Sequence, residues 1–145
     1  MNNHVASHGT YLLLIECDKQ AELSIGKLGN MMTEPGYYLY VGSAFGPGGI
    51  QARVRHHRKT AARPHWHIDY LRAVAELMDA WCAYDDRVEH EWAQTLDQLE
   101  DTVIPLKGFG SSDCDCATHL FYFRHRPVKA VLEKILNNKL ASVKV

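Results

Sequence analysis

The architecture of this 145-residue chain can be anticipated from residues 37–58, which read YYLYVGSAFGPGGIQARVRHHR. Aromatic and β-branched residues in the first seven positions predict a strand. The glycines and the proline of FGPGG indicate a turn that leads into a helix. Ile50, Val54 and Ala61 share one helical face, which predicts that the helix continues to about residue 61. The sequence thus predicts a strand, a glycine-rich turn and a helix in direct succession.

A second strand is predicted earlier in the chain, at Gly9–Cys17, which reads GTYLLLIEC. Alternation places Tyr11 and Leu13 on one face and Leu12 and Leu14 on the other. Because both faces are apolar, this strand is expected to be covered on both sides of its sheet.

The remaining patterns complete a mixed fold. In chain order they predict a short edge strand at 22–27, a connection at 28–36 and a helix at 65–76 that buries Trp66, Tyr70 and Val74. A strand at 77–83, an acidic helix around 88–99 and a strand at 118–123 follow. Pro127 then opens a final helix, whose apolar stripe is Val128, Val131, Leu132, Ile135 and Leu136. Because strands and helices interleave, the fold class is α/β or α+β with a small, mostly antiparallel sheet flanked by helices.

The length predicts one domain, which we place at residues 9–136, with 1–8 as a flexible N-terminus and 137–145 as a C-terminal tail. No apolar run approaches the length of a membrane span, and residues 1–8 lack the apolar core of a secretory signal. These absences predict a cytoplasmic protein without a membrane partner, in which the four cysteines stay reduced.

The net charge of −1 conceals a division along the chain. Residues 51–72 contain six basic side chains and one acidic one, whereas residues 76–101 contain nine acidic side chains and one basic one. Such asymmetry suggests a face built to bind an anion. Two solvated helix faces of opposite charge would give the same pattern, so charge alone does not decide.

Several side chains together suit the cleavage of a phosphodiester. That reaction needs a base for the attacking water, a cation that holds the phosphoryl oxygens, and a carboxylate that holds a metal ion. Arginine matches phosphate because its planar guanidinium pairs with two oxygens and keeps its charge. The candidates are two strand tyrosines, two residues four apart on the first helix, and two acids on the acidic helix: Tyr11, Tyr40, Arg53, His57, Glu89 and Glu91.

The ordered motifs resemble the GIY-YIG endonuclease superfamily. The resemblance begins with Gly9-Thr10-Tyr11, continues with Tyr40-Val41-Gly42-Ser43-Ala44, and includes the helix from Arg53 to His57. HWHIDYLR at His65–Arg72 and GFGSSDCDCATHLFYF at Gly108–Phe123 are similar to the Uri-like branch of small nuclease-like proteins. Together these blocks extend over about residues 9–123.

The resemblance implies a three-stranded antiparallel core sheet and hydrolysis of nucleic-acid phosphodiesters that depends on Mg²⁺ or Mn²⁺. The leading interpretation is a structure-selective or repair-type endonuclease of nucleic acid, with DNA favoured as the substrate although the sequence does not distinguish DNA from RNA. By position, Tyr11, Tyr40, Arg53 and His57 match the catalytic residues of the superfamily. Either tyrosine would deprotonate or orient the attacking water.

The resemblance also places a metal-binding glutamate on a later helix. Glu91 fits slightly better than Glu89. Only one of them can face a given site, because residues two positions apart on a helix project about 160° from each other. The interval of 28 residues between Tyr11 and Tyr40 is longer than usual in the superfamily, and an inserted hairpin at 21–36 would account for it.

Two further groups of side chains complete the expected site. Four basic side chains would hold the nucleic-acid backbone without reading bases: Arg55, Arg58, Lys59 and Arg63. Four others would line the site: His65, His67, Ser112 and Asp113.

A second candidate metal group lies near Asp113, where Cys114, Cys116 and His119 follow within seven residues. The spacing C-x-C-x-x-H is not a common zinc spacing and has no second cysteine pair, which argues against structural zinc. We expect instead a tight loop that re-enters the sheet with buried thiols.

Two functions from other classes remain open. A non-catalytic nucleic-acid-binding module would keep the basic helix and show salt-dependent binding without turnover. A scaffold domain would use the acidic helix as its contact surface and show no affinity for nucleic acid. Only a nuclease would require both Mg²⁺ and Arg53.

Overall fold

A computed structural model describes residues 7–111 and 115–145. Within these residues the chain forms the following elements: β1 Gly9–Cys17, β2 Glu22–Ile25, β3 Gly29–Met32, β4 Gly36–Ala44, α1 Gly49–Arg58, α2 His67–Arg72, β5 Glu76–Tyr84, α3 Glu89–Asp97, β6 Leu120–Phe123, α4 Lys129–Leu136 and β7 Ala141–Val143. This mixture of a mostly antiparallel sheet and flanking helices confirms the predicted α+β class.

The main sheet has five strands in the order β6-β4-β1-β5-β7. Strand β1 lies in its centre and pairs antiparallel with both β4 and β5. The three longest strands therefore form the predicted core, with one short strand on each edge. The partners across β1 and β4 include Tyr11 opposite Gly42 and Leu13 opposite Tyr40.

Both faces of the central strand are buried, as its apolar alternation predicts. Tyr11 and Leu13 belong to a core that α1 and α2 cover, whereas Leu12 and Leu14 belong to a second core that α3 and α4 cover. The helices contribute apolar residues to these two layers: Ile50 and Val54 from α1, Ile68 and Leu71 from α2, Trp92 and Leu96 from α3, and Leu132 and Leu136 from α4. The sheet is thus covered on both sides by helices.

The glycine-rich turn after β4 forms as predicted. Gly48 and Gly49 have φ angles of +83° and +62°, a backbone region that glycine reaches without steric cost. Helix α1 then begins at Gly49, and the amide of Ile50 donates to the carbonyl of Ser7. Helix α1 therefore starts directly behind the end of β4.

The segment between β1 and β4 is a separate hairpin. The strand predicted at 22–27 is present as β2, but it pairs only with β3 and is not an edge strand of the main sheet. The connection predicted at 28–36 contains β3. The inserted hairpin that the long tyrosine interval suggests is present. The buried hydroxyl of Thr33 closes its base, since it accepts from the amide of Ala21 at 2.8 Å and donates to the carbonyl of Lys19 at 2.9 Å.

Both helices that follow the glycine-rich turn are shorter than predicted. Helix α1 ends at Arg58 because Lys59 adopts an extended backbone, so Ala61 lies outside it. Helix α2 has only six residues, and it buries Ile68 and Leu71 rather than Trp66, Tyr70 and Val74, which are half-buried. The Asp69 carboxylate accepts hydrogen bonds from the amides of His65 and Trp66, which fixes the chain just before α2.

The C-terminal segment contributes to the sheet. Residues 141–143, which the sequence assigns to a tail, form β7 and pair with β5. On α4, Leu132 and Leu136 are buried but Val131 is more than half exposed, as is Val128 directly before the helix, so the apolar stripe is narrower than predicted. No helix among residues 7–111 and 115–145 is both long and apolar enough to cross a bilayer.

Candidate active site

An open cavity of about 230 Å³ lies beside the first residues of β1 and the last residues of β4. The residues that line it come from both strands, from α1, from the start of α3 and from the segments that precede α2 and β6. They are Tyr11, Tyr40, Gly42, Ser43, Arg53, His57, Trp66, Glu89, His90, Gly110, Ser111 and His119. All four residues predicted to be catalytic therefore line one cavity.

Strand register brings the two tyrosines together. Tyr11 lies opposite Gly42, and Tyr40 lies two residues before Gly42 on the same face of the sheet. The centres of the two phenol rings are 6.5 Å apart. A side chain at position 42 would collide with the Tyr11 ring, because a Cβ there would be 2.4 Å from the ring carbon Cζ. The glycine thus provides the space that the Tyr11 phenol occupies.

His57 joins this pair from α1. The stripe of Ile50, Val54 and His57 packs the helix on the sheet, and only 1% of His57 is exposed. Its Nε2 atom is 3.0 Å from the hydroxyl of Tyr11, within hydrogen-bond distance. Burial, together with the neighbouring His56, lowers the pKa of His57 to about 3, so its imidazole is neutral at physiological pH.

Both phenols are protonated at physiological pH in this environment. Burial and the neighbouring Tyr40 raise the pKa of Tyr11 well above its ordinary value, against the opposing charge of Arg53. Burial and then the Glu89 carboxylate raise the pKa of Tyr40 in the same way. Each hydroxyl can therefore donate or accept a hydrogen bond, and further positive charge in the cavity would favour the phenolate.

Two contacts hold Arg53 at the wall of the cavity. Its guanidinium donates to the carbonyl of Ser43 at 3.3 Å and lies 4.6 Å from the centre of the Trp66 indole ring. The indole face attracts the cation and restricts its rotamers. Sequence reasoning treated Trp66 only as a packing residue, since nothing in a single sequence pairs an indole with an arginine 13 positions away.

The acid that reaches the cavity is Glu89 and not Glu91, which corrects the preference for Glu91. Glu89 is the first residue of α3, is 22% exposed and lines the cavity, whereas Glu91 points to solvent and is absent from its lining. The two acids project to opposite flanks as expected. Burial of Trp92 and Leu96 against the sheet decides which flank turns towards the tyrosines.

Hydrogen bonds keep Glu89 ionised. Burial opposes ionisation, but hydrogen bonds from His119 and Ser43 and the charge of the nearby imidazoles hold the pKa of this carboxyl below its ordinary value. The Oε2 atom of Glu89 is 3.1 Å from Nδ1 of His119. The carboxylate therefore carries a full negative charge at neutral pH.

Thr10 fixes the start of α3 relative to β1. Its buried hydroxyl donates to the carbonyl of Asp86 at 2.7 Å and accepts from the amide of Val88 at 3.1 Å. These bonds tie the central strand to the residues directly before Glu89. Sequence reasoning did not assign Thr10 a role, because its two partners lie 76 and 78 positions away.

The four basic residues expected to hold a nucleic-acid backbone are exposed. Arg55 and Arg58 lie on the flank of α1 that faces away from Arg53, beside a second cavity of about 280 Å³ near Tyr84 and Lys144. Lys59 and Arg63 follow the end of the helix. None of the four lines the cavity that contains the tyrosines.

The residues expected to line the site are divided. His67 accepts a hydrogen bond from the amide of Gly110 at its Nδ1 atom, 2.8 Å away, and so supports the loop without lining the cavity. His65 is exposed, and its ring packs against Trp66. Ser112 and Asp113, like Cys114, lie outside the described residues. Ser111 and His119 also line the cavity, and of these two only His119 was not singled out for this site from the sequence.

The donor set fits a hard divalent cation. Among the residues that the structure describes, Glu89 is the only carboxylate in the lining, and it is ionised. Mg²⁺ is commonly held by one or two carboxylates together with water and phosphate oxygens, so a single carboxylate in an open cavity is sufficient.

Comparison with known proteins identifies the family of the chain. The family model described as "Domain of unknown function DUF123" matches residues 10–140, which includes every lining residue of the cavity. No curated protein and no solved structure matches the chain significantly.

Proposed function

Since the chain belongs to the DUF123 family, whose description gives no activity, its function has to be inferred from the cavity, and we propose that it is a GIY-YIG-type endonuclease. In this proposal it hydrolyses phosphodiesters of nucleic acid, DNA rather than RNA, with Mg²⁺ or Mn²⁺. The observation that carries the proposal is the convergence of two phenols, a guanidinium and an ionised carboxylate on one open cavity.

Arg53 would bind the phosphoryl group. Its contacts with the Ser43 carbonyl and the Trp66 ring pre-orient the guanidinium before substrate arrives. A planar cation held in this way pairs with two phosphoryl oxygens and stabilises the charge that grows on them during attack. Because little reorganisation is needed, the interaction favours the transition state.

Tyr11 and Tyr40 would position the attacking water. Tyr11 is fixed by its hydrogen bond to neutral His57, so its hydroxyl can exchange hydrogen bonds with that imidazole and with water. Proton abstraction by a phenol requires its phenolate, which the Arg53 guanidinium favours. A divalent cation bound at Glu89 would add positive charge that favours phenolate formation and stabilises the pentavalent transition state.

Replacement of Arg53 tests the proposal. Arg53→Ala should lower Mg²⁺-dependent nicking of DNA by at least about 1,000-fold, since a comparable arginine contributes about that much to phosphoryl transfer. Arg124→Ala is the matched control, because Arg124 is exposed and outside the cavity lining. Circular dichroism would verify folding. If Arg53→Ala nicks DNA as fast as the parent, the proposal is wrong.

The non-catalytic binding module is the second candidate. The exposed basic side chains on the flank of α1 opposite Arg53 favour it. Arg55 and Arg58 lie beside their own cavity, where they could contact a phosphate backbone without any chemistry in the tyrosine cavity. Such a module would bind DNA in a salt-dependent manner, but Mg²⁺ and Arg53 would make no difference to its behaviour.

A further inference from the structure

Three side chains with metal-binding atoms meet at the outer wall of the cavity. His90 is the second residue of α3, whereas Cys116 and His119 belong to the segment that leads into β6. Their ligand atoms all lie within 4.8 Å of one another. We call these residues the His–Cys–His cluster and propose that it is a binding site for Zn²⁺.

The separation of the cluster atoms suits one shared ion. Zinc bonds thiolate sulfur at about 2.3 Å and imidazole nitrogen at about 2.0–2.1 Å, so two such ligands at a tetrahedral angle lie about 3.6 Å apart. Cys116 Sγ and His90 Nδ1 are 3.5 Å apart. A soft thiolate between two imidazoles favours Zn²⁺ over Mg²⁺, which prefers oxygen.

Burial changes gradually across the cluster. His119 is buried, Cys116 is half-buried and His90 is exposed, so an ion can enter from solvent and be held against the protein. Three protein ligands leave the fourth tetrahedral position open to water or another small ligand. His90 and His119 also line the tyrosine cavity, so the open position borders that cavity.

Glu89 supplies the outer support that metal-bound histidines commonly have. Its carboxylate oxygen Oε2 is 3.1 Å from Nδ1 of His119, so this contact would orient the imidazole and leave Nε2 as the metal-binding atom. The zinc site and the nuclease site would thus share a residue while using different donors. The zinc proposal does not rest on nuclease activity.

The local sequence argues against zinc because the residues near Cys116 do not provide a complete ligand set. The spacing of Cys114, Cys116 and His119 lacks a second ligand pair, whereas the structure supplies His90 from 26 positions earlier. No local sequence motif links a histidine on the acidic helix to a C-x-x-H segment that follows much later in the chain.

Titration of the purified full chain with Co²⁺ tests this site directly. Co²⁺ occupies zinc sites and gives a thiolate-to-cobalt charge-transfer absorption when a cysteine is a ligand. We expect one equivalent of Co²⁺ to produce this absorption and one equivalent of Zn²⁺ to abolish it. A chain that shows no charge-transfer absorption with Co²⁺ would overturn the proposal.

Variants identify the ligands. Cys116→Ala should remove the charge-transfer absorption, and His90→Ala should weaken Zn²⁺ binding by more than about tenfold, because even outer partners contribute about that factor. His90 is exposed, so its replacement should not unfold the chain. His125→Ala is the matched control, as an exposed histidine outside the cluster.

Unchanged absorption in Cys116→Ala, or parental Zn²⁺ affinity in His90→Ala, would overturn the assignment. The outcome is independent of nuclease activity. A chain that binds Co²⁺ through this cluster but never cuts DNA would keep the zinc site and remove the nuclease proposal.

Discussion

Gly42 shows how a single position shapes the candidate site. It lies opposite Tyr11 on the neighbouring strand, and the Tyr11 phenol occupies the space that a side chain there would fill. That phenol is in turn held 3.0 Å from His57. The placement of the proposed catalytic tyrosine therefore depends on a residue that contributes no functional group of its own.

Gly42→Ala should lower the free energy of unfolding by about 1–3 kcal/mol, because the added methyl group overpacks a buried contact with the Tyr11 ring. Chemical denaturation would measure the loss. Gly46→Ala is the matched control, since a Cβ at Gly46 would meet nothing within 4 Å. A Gly42→Ala variant as stable as Gly46→Ala would show that Tyr11 moves aside without cost.

His57 should make stability depend on pH. Its pKa is about 3 in the folded chain and about 6.5 when unfolded, so below pH 6.5 the unfolded state binds a proton that the folded state does not. Stability from this group is complete above pH 6.5 and is lost as pH falls towards 3, with a slope of up to about 1.4 kcal/mol per pH unit.

His57→Asn should remove that slope between pH 6 and 4.5, as measured by denaturation at a series of pH values. His125→Ala, which replaces an exposed histidine, should keep the parental slope. An unchanged slope in His57→Asn would mean that His57 is protonated in the folded chain.

At the level of elements, the position of α3 decides which acid reaches the cavity. The helix packs on the face of the sheet opposite α1, yet its first residue lines the tyrosine cavity. Thr10 bonds to the residues directly before that helix and so sets where it begins. A hydroxyl in the central strand thereby positions Glu89.

Thr10→Val should destabilise the chain by about 1–3 kcal/mol, because it leaves the Asp86 carbonyl and the Val88 amide without their partner. DNA cleavage should fall as well, since Glu89 would lose its fixed position. Thr10→Ser keeps the hydroxyl and should restore both quantities, as unfolding and cleavage assays would show. Equal losses in the two variants would indicate that the Thr10 methyl group, and not its hydroxyl, matters.

The local sequence pattern is sufficient to predict those elements and site residues that depend mainly on neighbours within a few positions along the chain. Because both faces of β1 are apolar, the sequence predicts that both are buried. The spacing of four residues between Arg53 and His57 predicts that they share one side of α1. Periodicity also predicts that Glu89 and Glu91 diverge. It does not predict which of them faces the tyrosines, because helix docking depends on the whole sheet.

Features that depend on distant partners were missed for the same reason. Strand β7 has only three residues and exists through its pairing with β5. The buried face of α2 was misassigned because six residues are too few to show a clear period. The approach of His90 to Cys116 joins α3 to the segment before β6, which no local pattern records.

At the scale of the whole molecule, the five-stranded sheet brings α1 and α3 to one cavity from opposite faces. One helix supplies a guanidinium and a neutral imidazole, while the other supplies an ionised carboxylate. The basic and acidic segments of the sequence thus place a cationic and an anionic group on opposite sides of the proposed site.

The decisive measurement is Mg²⁺-dependent DNA cleavage by Glu89→Gln beside Glu91→Gln. The two acids are two positions apart on one helix, but only Glu89 lines the cavity. Glu89→Gln should lower kcat by about 100-fold or more, as loss of one preorganised charged group does elsewhere, and Glu91→Gln should cleave at the parental rate. Parental cleavage by Glu89→Gln, or an equal loss in both variants, would contradict a nuclease site at this cavity.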